Sequence, residues 1–203
     1  MVTMQRVYRE HRLHYQLLKD VLDFMMALVL FIVLIPLQLA IALLVLLDSP
    51  GAAIYCQQRI GLRGREFTIY KFRTMQVDAP CLSTEEMQRI GDDPSTRLGR
   101  ILRKTSLDEL PQLWNILKGE MSFIGPRPAL PSQYVVNSRR FQLGADTVKP
   151  GLTGLAQVMG RDQLDDETKV QYDAEYCAQR SLLQDIKIVL LTIKVVISAR
   201  GNY

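Results

Sequence analysis

The segment from Phe24 to Leu47 reads FMMALVLFIVLIPLQLAIALLVLL and is the strongest indication of the fold in the sequence. It carries no charge, and Gln38 is its one strongly polar side chain. About 24 residues form roughly 36 Å of helix, which is long enough to enter a bilayer and longer than the apolar core of a typical secretory signal. Pro36 lies near the middle, where it removes a backbone donor and favours a kink or break in the helix.

The charges on either side of this run bear on its topology. Cations precede it at Arg6, Arg9, Arg12 and Lys19, and others follow it at Arg59, Arg63, Arg65, Lys71 and Arg73. The positive-inside rule therefore draws both ends toward the cytoplasm. Spans are common, however, and large domains cross membranes largely regardless of charge, so the residues alone favour a simple span over a helix that turns back at Pro36.

The composition indicates one domain with a membrane segment. The chain has 203 residues and a net charge of +4, which suits a surface facing anionic lipid or an anionic substrate. Nucleic acid is not expected as a partner, because no basic stripe interleaved with aromatics occurs. The three cysteines lack metal-type spacing, which indicates reduced thiols. We expect an N-terminal interfacial segment and membrane helix over 1–50 and a cytoplasmic catalytic domain over 51–203.

Local patterns predict a small β-hairpin followed by helices. AIYCQQR and EFTIYKFR are short runs with β-branched and aromatic residues on either side of a glycine-bearing turn, which is typical of a hairpin. TRLGRILRKTSL predicts a basic amphipathic helix, and Leu110 to Lys118 a second helix capped by Gly119. A short helix is predicted from Thr84 to Ile90. Charges inside the apolar pattern from Ser181 to Arg200 favour an interfacial or core helix over a second span.

TSLDELPQLWN, from Thr105 to Asn115, contains a carboxylate pair, Asp108 and Glu109. The spacing favours a capping box with Ser106 as the N-cap, or Asp108 itself as the N-cap. A helix N-terminus would also favour an ionised carboxylate and a bound phosphate. An aspartate there could attack a phosphoryl centre, and the neighbouring glutamate could hold a divalent cation. The pattern alone favours capping and leaves catalysis open.

Cations in other segments are candidates for contact with phosphate. They are Lys71, Arg73, Arg103, Arg127, Lys149 and Arg161. Each alone is more typical of a solvated surface charge, although Arg127 stands between two prolines and is therefore stiffer than most. Gly151 and Gly154 allow either close approach to a ligand or a tight turn. The chain contains no P-loop, dinucleotide fingerprint, nucleophile elbow or zinc signature.

Several motifs together resemble one known family, the bacterial sugar transferases, also called monotopic phosphoglycosyl transferases. They are QQRIG, FTIYKFRTM, TRLGRILRKTSLDELPQLWNILKGEMSFIGPRP, KPGLTGLAQVMGR and LLQDIKI, and they extend over nearly the whole chain. The resemblance implies transfer of a phosphosugar from a UDP-sugar to polyprenyl (undecaprenyl) phosphate with release of UMP. This would be the first membrane step of glycan or exopolysaccharide assembly, on the cytoplasmic face of a bacterial inner membrane.

The resemblance also implies roles for individual residues. Asp108 would be the nucleophile that forms a covalent phosphosugar intermediate, and Glu109 would assist it through a Mg²⁺ ion that the pair binds. Basic family positions that would contact phosphates or uridine fall on Lys71, Arg103, Arg127 and Arg161. Asp173 and Asp185 fall on carboxylate positions of the family and would support the site.

The expected fold is therefore α+β and mostly helical, with interfacial amphipathic helices and a short β-hairpin. The resemblance implies a re-entrant helix broken at Pro36, in place of the simple span that the residues alone favour. Ile35 stands where some members of the family have a serine. Only about 23 residues precede the apolar run, so a small catalytic form of the family is expected. A homodimer through an exposed apolar C-terminal helix is a further expectation. The alternative to catalysis is a membrane scaffold of a polysaccharide assembly complex, and the sugar cannot be read from the sequence.

Overall fold

The computed structural model describes the backbone of residues 2–77, 79, 94–160 and 163–197, and the side chains within these ranges from His14 to Val196. The predicted short helix from Thr84 to Ile90 and the predicted phosphate ligand Arg161 lie outside the described residues. Within them the chain is mostly helical with two small sheets, so the predicted α+β class is confirmed.

The apolar run forms two helices that meet at a sharp bend. Helix α1 is Val2–Val33 and α2 is Ile35–Asp48, with an angle of 62° at the break. Pro36 lies in the first turn of α2, where its missing N–H removes no bond within the helix. No single helix of the described residues is long and apolar enough to cross a membrane, but His14–Val33 and Ile35–Asp48 together have the required length and composition. The predicted break at this proline is confirmed.

The bent pair has an exposed apolar surface and a small buried side. Large apolar side chains remain exposed along both helices, among them Leu17, Val21, Met25, Val29, Ile32, Leu39, Leu43 and Leu47. Exposed apolar surface of this extent marks a place where a membrane or another protein binds. Ala27 faces the other way and is fully buried in a core that includes Ile69 and Leu113. One side of α1 therefore belongs to the core of the domain.

The predicted hairpin is confirmed. Strands β1, Ile54–Ile60, and β2, Glu66–Phe72, pair antiparallel with Ile54 opposite Phe72. A second, parallel pair was not predicted and consists of β3, Ser122–Ile124, and β4, Gly151–Thr153. It holds together the two loops rich in proline and glycine.

The remaining elements are helices. They are α3 (Arg97–Thr105), α4 (Gln112–Leu117), α5 (Tyr134–Leu143), α6 (Leu155–Met159), α7 (Asp166–Gln179) and α8 (Leu182–Ile197). Helix α3 confirms the predicted amphipathic helix, and its N-cap Thr96 accepts a hydrogen bond from the Gly99 N–H. A Cβ atom at Gly99 would lie 2.0 Å from the Thr74 carbonyl oxygen, so only glycine allows α3 to pack this closely.

Helix α4 starts two residues later and ends one residue earlier than predicted, and the predicted closing residue Gly119 is confirmed. Gly119 follows the C-cap Lys118 with a positive φ of 75°, the conformation that closes many helices. Helix α8 has one buried face around Ile188, while Leu183 and Leu190 on its other face are 81% and 63% exposed. The buried face confirms the predicted core helix, and the interfacial alternative stays a prediction that the exposed apolar face supports.

Candidate active site

Asp108 and Glu109 lie in a turn between two helices. Ser106 ends α3 with a left-handed backbone (φ 57°), and its N–H donates to the Arg103 carbonyl. Leu107–Glu109 then form one 3-10 turn, and α4 begins only at Gln112, with no side-chain cap on either element. The predicted capping box is wrong for both N-cap candidates, because the positive φ at Ser106 turns the chain before another helix can start.

Glu109 forms a cluster with cations from two other elements. Lys71 Nζ on β2 lies 2.8 Å from Glu109 Oε1, and Arg127 Nη2 in the loop after β3 lies 3.3 Å from the same oxygen. The Glu109 side chain is 13% exposed and the Arg127 side chain is 48% exposed. Three segments far apart in sequence therefore meet here, with Arg127 on the solvent side.

Asp108 is buried beside this cluster but is not bound into it. Only 8% of the residue is exposed, and its carboxylate makes no ion pair or side-chain hydrogen bond with any of the described residues. Burial raises the pKa of Asp108 above its usual value, while the charge of Lys71 opposes this shift and that of Glu109 reinforces it. Asp108 therefore keeps its oxygen lone pairs available to an incoming ligand.

The charge of the site favours an anion. Arg103 lies close enough to Asp108 to lower its pKa, as does Arg127. Burial lowers the pKa of Lys71, and the carboxylates of Glu109 and Asp108 oppose that shift. The structure thus brings three predicted cations, Lys71, Arg103 and Arg127, to two carboxylates, which suits a phosphate-bearing substrate.

The structure does not bring Arg73 and Lys149 to the pair. Arg73 donates to the Pro50 carbonyl at 2.7 Å and to the carbonyl and hydroxyl oxygens of Ser49 at 2.7 and 3.0 Å, so it ties the hairpin to the end of α2. Lys149 Nζ lies 2.9 Å from Asp20 Oδ1 on α1. Their predicted contact with phosphate therefore has no support from the geometry, because both side chains join the domain to the bent helix pair.

Asp173 supports the fold at a distance from the pair. Its Oδ2 accepts hydrogen bonds from Arg140 Nε at 3.0 Å and Nη2 at 2.6 Å, and the residue is 2% exposed. Burial raises the pKa of Asp173, and Arg140 opposes that shift. This ion pair fixes α7 against α5.

Asp185 is the centre of a second buried network. Tyr15 and Tyr176 each donate a hydrogen bond to it at 2.8 Å, and Lys19 Nζ lies 3.1 Å from its Oδ2. The network joins α8 to α1 and α7 and makes no contact with Asp108. The contacts of Asp185 are therefore structural, and its support of the active site stays a prediction.

Glycines position the loop that carries Arg127. The Gly125 N–H donates to the Thr153 carbonyl, and the Gly151 N–H donates to the Pro126 carbonyl, both at 2.9 Å. A Cβ atom would lie 2.1 Å from Gly125 backbone atoms if added at either Gly151 or Gly154. These glycines therefore allow two backbone segments to approach each other, a contact that a tight turn does not explain, while their close approach to a ligand stays a prediction.

Asn115 is a positioning residue that the sequence analysis missed. It is fully buried, and its Nδ2 donates to the Thr68 carbonyl at 2.7 Å while its Oδ1 accepts from the Tyr70 N–H at 3.2 Å. These bonds hold α4 against β2 and thereby set the position of Glu109 relative to Lys71. A polar residue within the apolar segment Leu113–Leu117 was the signal that could have revealed it.

The carboxylate pair fits a magnesium ion only if the substrate shares it. No group of three or more His, Cys, Asp or Glu side chains suited to a metal occurs in the part of the chain that the structure describes. Mg²⁺ is commonly held by one or two carboxylates together with substrate phosphates and water. Asp108 and Glu109 supply two hard oxygen donors and fit that arrangement, whereas they do not form a closed protein site.

The family of the chain follows from its sequence: it belongs to the bacterial sugar transferases, a transferase family whose model matches residues 14–199. It is 39% identical over 203 residues to the UDP-galactose-lipid carrier transferase of Erwinia amylovora, covering 92% of this chain and 42% of that protein. It is also 39% identical over 197 residues to the undecaprenyl-phosphate glucose phosphotransferase of Komagataeibacter xylinus, covering 91% of this chain and 37% of that one. The chain thus spans less than half the length of these two relatives.

A relative of similar size also matches. The exopolysaccharide production protein ExoY of Sinorhizobium fredii (strain NBRC 101917 / NGR234) is 38% identical over 197 residues, which is 89% of this chain and 86% of ExoY. The resemblance found in the sequence motifs is therefore confirmed.

Proposed function

We propose that this protein transfers a phosphosugar from a UDP-sugar to polyprenyl (undecaprenyl) phosphate and releases UMP. The observation that carries this proposal is the buried carboxylate of Asp108, which has no ion pair or side-chain hydrogen bond with any described residue and lies beside the cluster of Glu109, Lys71 and Arg127. Two relatives named for a UDP-galactose-lipid carrier activity and an undecaprenyl-phosphate activity support the substrate classes. The name of ExoY supports a place in glycan or exopolysaccharide assembly.

The proposed reaction has two displacement steps at one phosphorus atom. A carboxylate oxygen of Asp108 attacks the β-phosphorus of the UDP-sugar, and the bond from that phosphorus to the oxygen bridging it to the α-phosphate breaks, so that UMP leaves with the electron pair. A phosphate oxygen of the polyprenyl phosphate then attacks the same phosphorus. The bond to Asp108 breaks, which yields the polyprenyl diphosphosugar and restores the carboxylate.

The surrounding residues stabilise charge on the transferred group. Three cations would surround a phosphorus atom bonded to Asp108: Lys71, Arg103 and Arg127. Their charges mainly stabilise the oxygens that gain negative charge in the transition state. Glu109 holds Lys71 and Arg127 through its two ion pairs. Asp108 and Glu109 are the residues that would hold Mg²⁺, which when bound supplies neutralisation of the diphosphate charge.

A re-entrant anchor on the cytoplasmic face of a bacterial inner membrane fits this chemistry. The acceptor phosphate lies at headgroup level and the nucleotide sugar is cytosolic, so an active site at the interface meets both. The bend between α1 and α2, their exposed apolar side chains and the cations on both flanks support this placement. The exposed apolar face of α8 supports either contact with lipid or the proposed homodimer.

The proposal is tested by incubating the membrane-embedded protein with UDP-sugars one at a time, Mg²⁺ and undecaprenyl phosphate. We expect one or a few sugars to give UMP and lipid-linked diphosphosugar in equal amounts, and removal of Mg²⁺ by EDTA to stop both. UMP without lipid product would indicate hydrolysis. No UMP with any sugar would favour the alternative, a non-catalytic membrane scaffold.

A further inference from the structure

A small cavity lies beside the candidate active site. Its volume is about 160 Å³, and its wall is formed by the hairpin turn, the loop Pro126–Pro128, helix α5 and the segment before β4. Arg127 belongs to both places, because it lines this cavity and its Nη2 lies 3.3 Å from Glu109 Oε1. The side chain of Arg127 therefore separates a ligand in the cavity from the carboxylate pair.

The wall is suited to a flat, weakly polar ring. Pro126, Pro128 and Pro150 line the cavity together with Val148, and Phe141 lines it with an exposure of 75%. Proline rings and an aromatic face offer flat apolar surfaces against which a planar ring packs. Sites for whole drug-sized ligands have volumes of roughly 300–1,000 Å³, so this cavity takes one ring of a larger substrate.

The proposed substrates differ in what they could place here. A hexose carries a hydroxyl on most of its carbons and needs hydrogen-bonding groups on all sides. Asn137, Arg140 and Asp146 also line this cavity, but most of its wall is apolar. A polyprenyl chain belongs with the exposed apolar helices, and no residue of α1 or α2 lines this cavity. The nucleotide has a planar base joined through ribose to a diphosphate. With its base in the cavity, the diphosphate would extend past Arg127 toward Asp108.

The wall is held in shape before any ligand binds. Arg140 lines the cavity from α5, and its two hydrogen bonds to the buried carboxylate of Asp173 fix it to α7. The backbone N–H of Ile60 donates to the Ala129 carbonyl at 2.9 Å, which fixes the hairpin end against the loop that contains Pro128. Such a preformed wall reduces the entropy lost when a ligand is ordered.

We propose that this cavity binds the uracil ring of the nucleotide sugar and that Phe141 packs on the face of the ring. This inference rests on the proposed function for the identity of the nucleotide. It assigns Phe141 a part in donor binding and none in the chemical step. The base would then determine where the donor binds, while Arg127 and Lys71 determine where its diphosphate lies.

The test compares two exposed aromatic residues of α5. Phe141 lines the cavity, whereas Tyr134 does not and is equally exposed at 76%. Because stacking on an aromatic residue contributes about a 5- to 160-fold factor per base, we expect Phe141→Ala to raise the KM for the UDP-sugar by that factor with little change in kcat. Tyr134→Ala should leave both constants unchanged, and Phe141→Trp should restore the KM.

Inhibitors separate the base from the phosphates. UMP carries the base, whereas inorganic pyrophosphate carries only the charge. Phe141→Ala should therefore weaken inhibition by UMP by the same factor and leave inhibition by pyrophosphate unchanged. Equal KM values in Phe141→Ala and Tyr134→Ala would overturn the proposal. It would also be overturned by equal weakening of both inhibitors, or by a raised KM for polyprenyl phosphate alone.

A different result is expected if the proposed function itself is wrong. In that case the wild-type protein releases no UMP from any UDP-sugar. The cavity is then tested by binding alone, with UMP as the probe in saturation-transfer NMR. If the cavity binds the base, saturation transfer to the uracil protons should be weaker in Phe141→Ala than in the wild type and unchanged in Tyr134→Ala. No transfer to the uracil protons in the wild-type protein overturns it.

Discussion

Asp108 and Asp185 are both buried carboxylates, with 8% and 6% of each residue exposed, yet their surroundings are opposite. Asp185 accepts hydrogen bonds from two tyrosines and pairs with Lys19. Asp108 makes no ion pair or side-chain hydrogen bond with the other described residues. A fully bonded carboxylate fixes the elements around it, whereas an unbonded one keeps its lone pairs for a substrate at a cost in stability. Burial alone does not distinguish a structural acid from a reactive one.

The largest expected effect belongs to Asp108→Asn. We expect turnover to be lost, because the amide keeps the shape of the side chain and removes the nucleophile. We also expect a higher Tm at pH 7. The pKa of Asp108 is raised in the folded state, so ionisation lowers the stability of the wild-type protein as pH rises above the unfolded-state pKa of about 3.9.

Activity assays and thermal unfolding at several pH values check this prediction. The Tm advantage of Asp108→Asn should shrink as the pH falls toward and below that unfolded-state pKa, where the wild-type carboxyl is protonated in both states. An active variant, or one less stable than the wild type at neutral pH, would contradict the assignment.

Asp185→Ala should have the opposite signature. It removes the acceptor of Tyr15 and Tyr176 and leaves the buried Lys19 with Asp23, at 3.6 Å, as its remaining carboxylate partner among the described residues. Removal of one partner of a buried ion pair costs about 3–5 kcal/mol when the other charge is left uncompensated, so the free energy of unfolding should fall by up to that amount. Chemical unfolding measures the loss, and kcat per folded molecule should remain near that of the wild type. A lost kcat at unchanged stability would show that Asp185 acts in the reaction.

Arg127→Ala should lower kcat by about 100- to 1,000-fold, because it removes one fixed charge that stabilises the transition state. Steady-state kinetics of UMP release measures the change. The matched control is Arg139→Ala, which breaks an exposed ion pair with Glu167 whose side chains are 43% and 47% exposed. Surface pairs of this kind contribute little, so the control should behave as the wild type. Similar kinetic constants in Arg127→Ala and Arg139→Ala would show that Arg127 does not act in the reaction.

The smallest expected effect is a shift of the pH profile. Asp108 attacks as the ionised form, so kcat/KM should fall as the pH drops through a pKa above the ordinary value of about 3.9. Lys71 is the strongest of the cations that lower this pKa. Lys71→Met should therefore move the acid limb to higher pH, in addition to any loss of rate. An acid limb that does not move would show that another group controls it.

Features with a local signal were predictable from the sequence. Pro36 marks the break between α1 and α2, β-branched and aromatic residues on either side of a glycine-bearing turn mark the hairpin, and helical periodicity marks α3. The carboxylate pair itself was also found, although its turn was not. The left-handed backbone of Ser106 has no local signal, because residues other than glycine rarely adopt it.

Features that depend on distant partners could not be predicted. Lys149 and Asp20 are separated by 129 positions in the sequence, and Tyr15 and Asp185 by 170. No residue near Lys149 in the sequence indicates that it pairs with a remote carboxylate. Lys149 was therefore predicted to contact phosphate. The second sheet escaped prediction because its strands are three residues long and span two loops rich in proline and glycine.

Covalent catalysis by Asp108 is tested by measuring the intact mass of the protein after incubation with a UDP-sugar that supports turnover, in the absence of lipid acceptor. We expect a mass increase of one phosphosugar that maps to Asp108, disappears on addition of undecaprenyl phosphate and is absent in Asp108→Asn. Release of UMP by the wild-type protein with no adduct, or with an adduct on another residue, would contradict it.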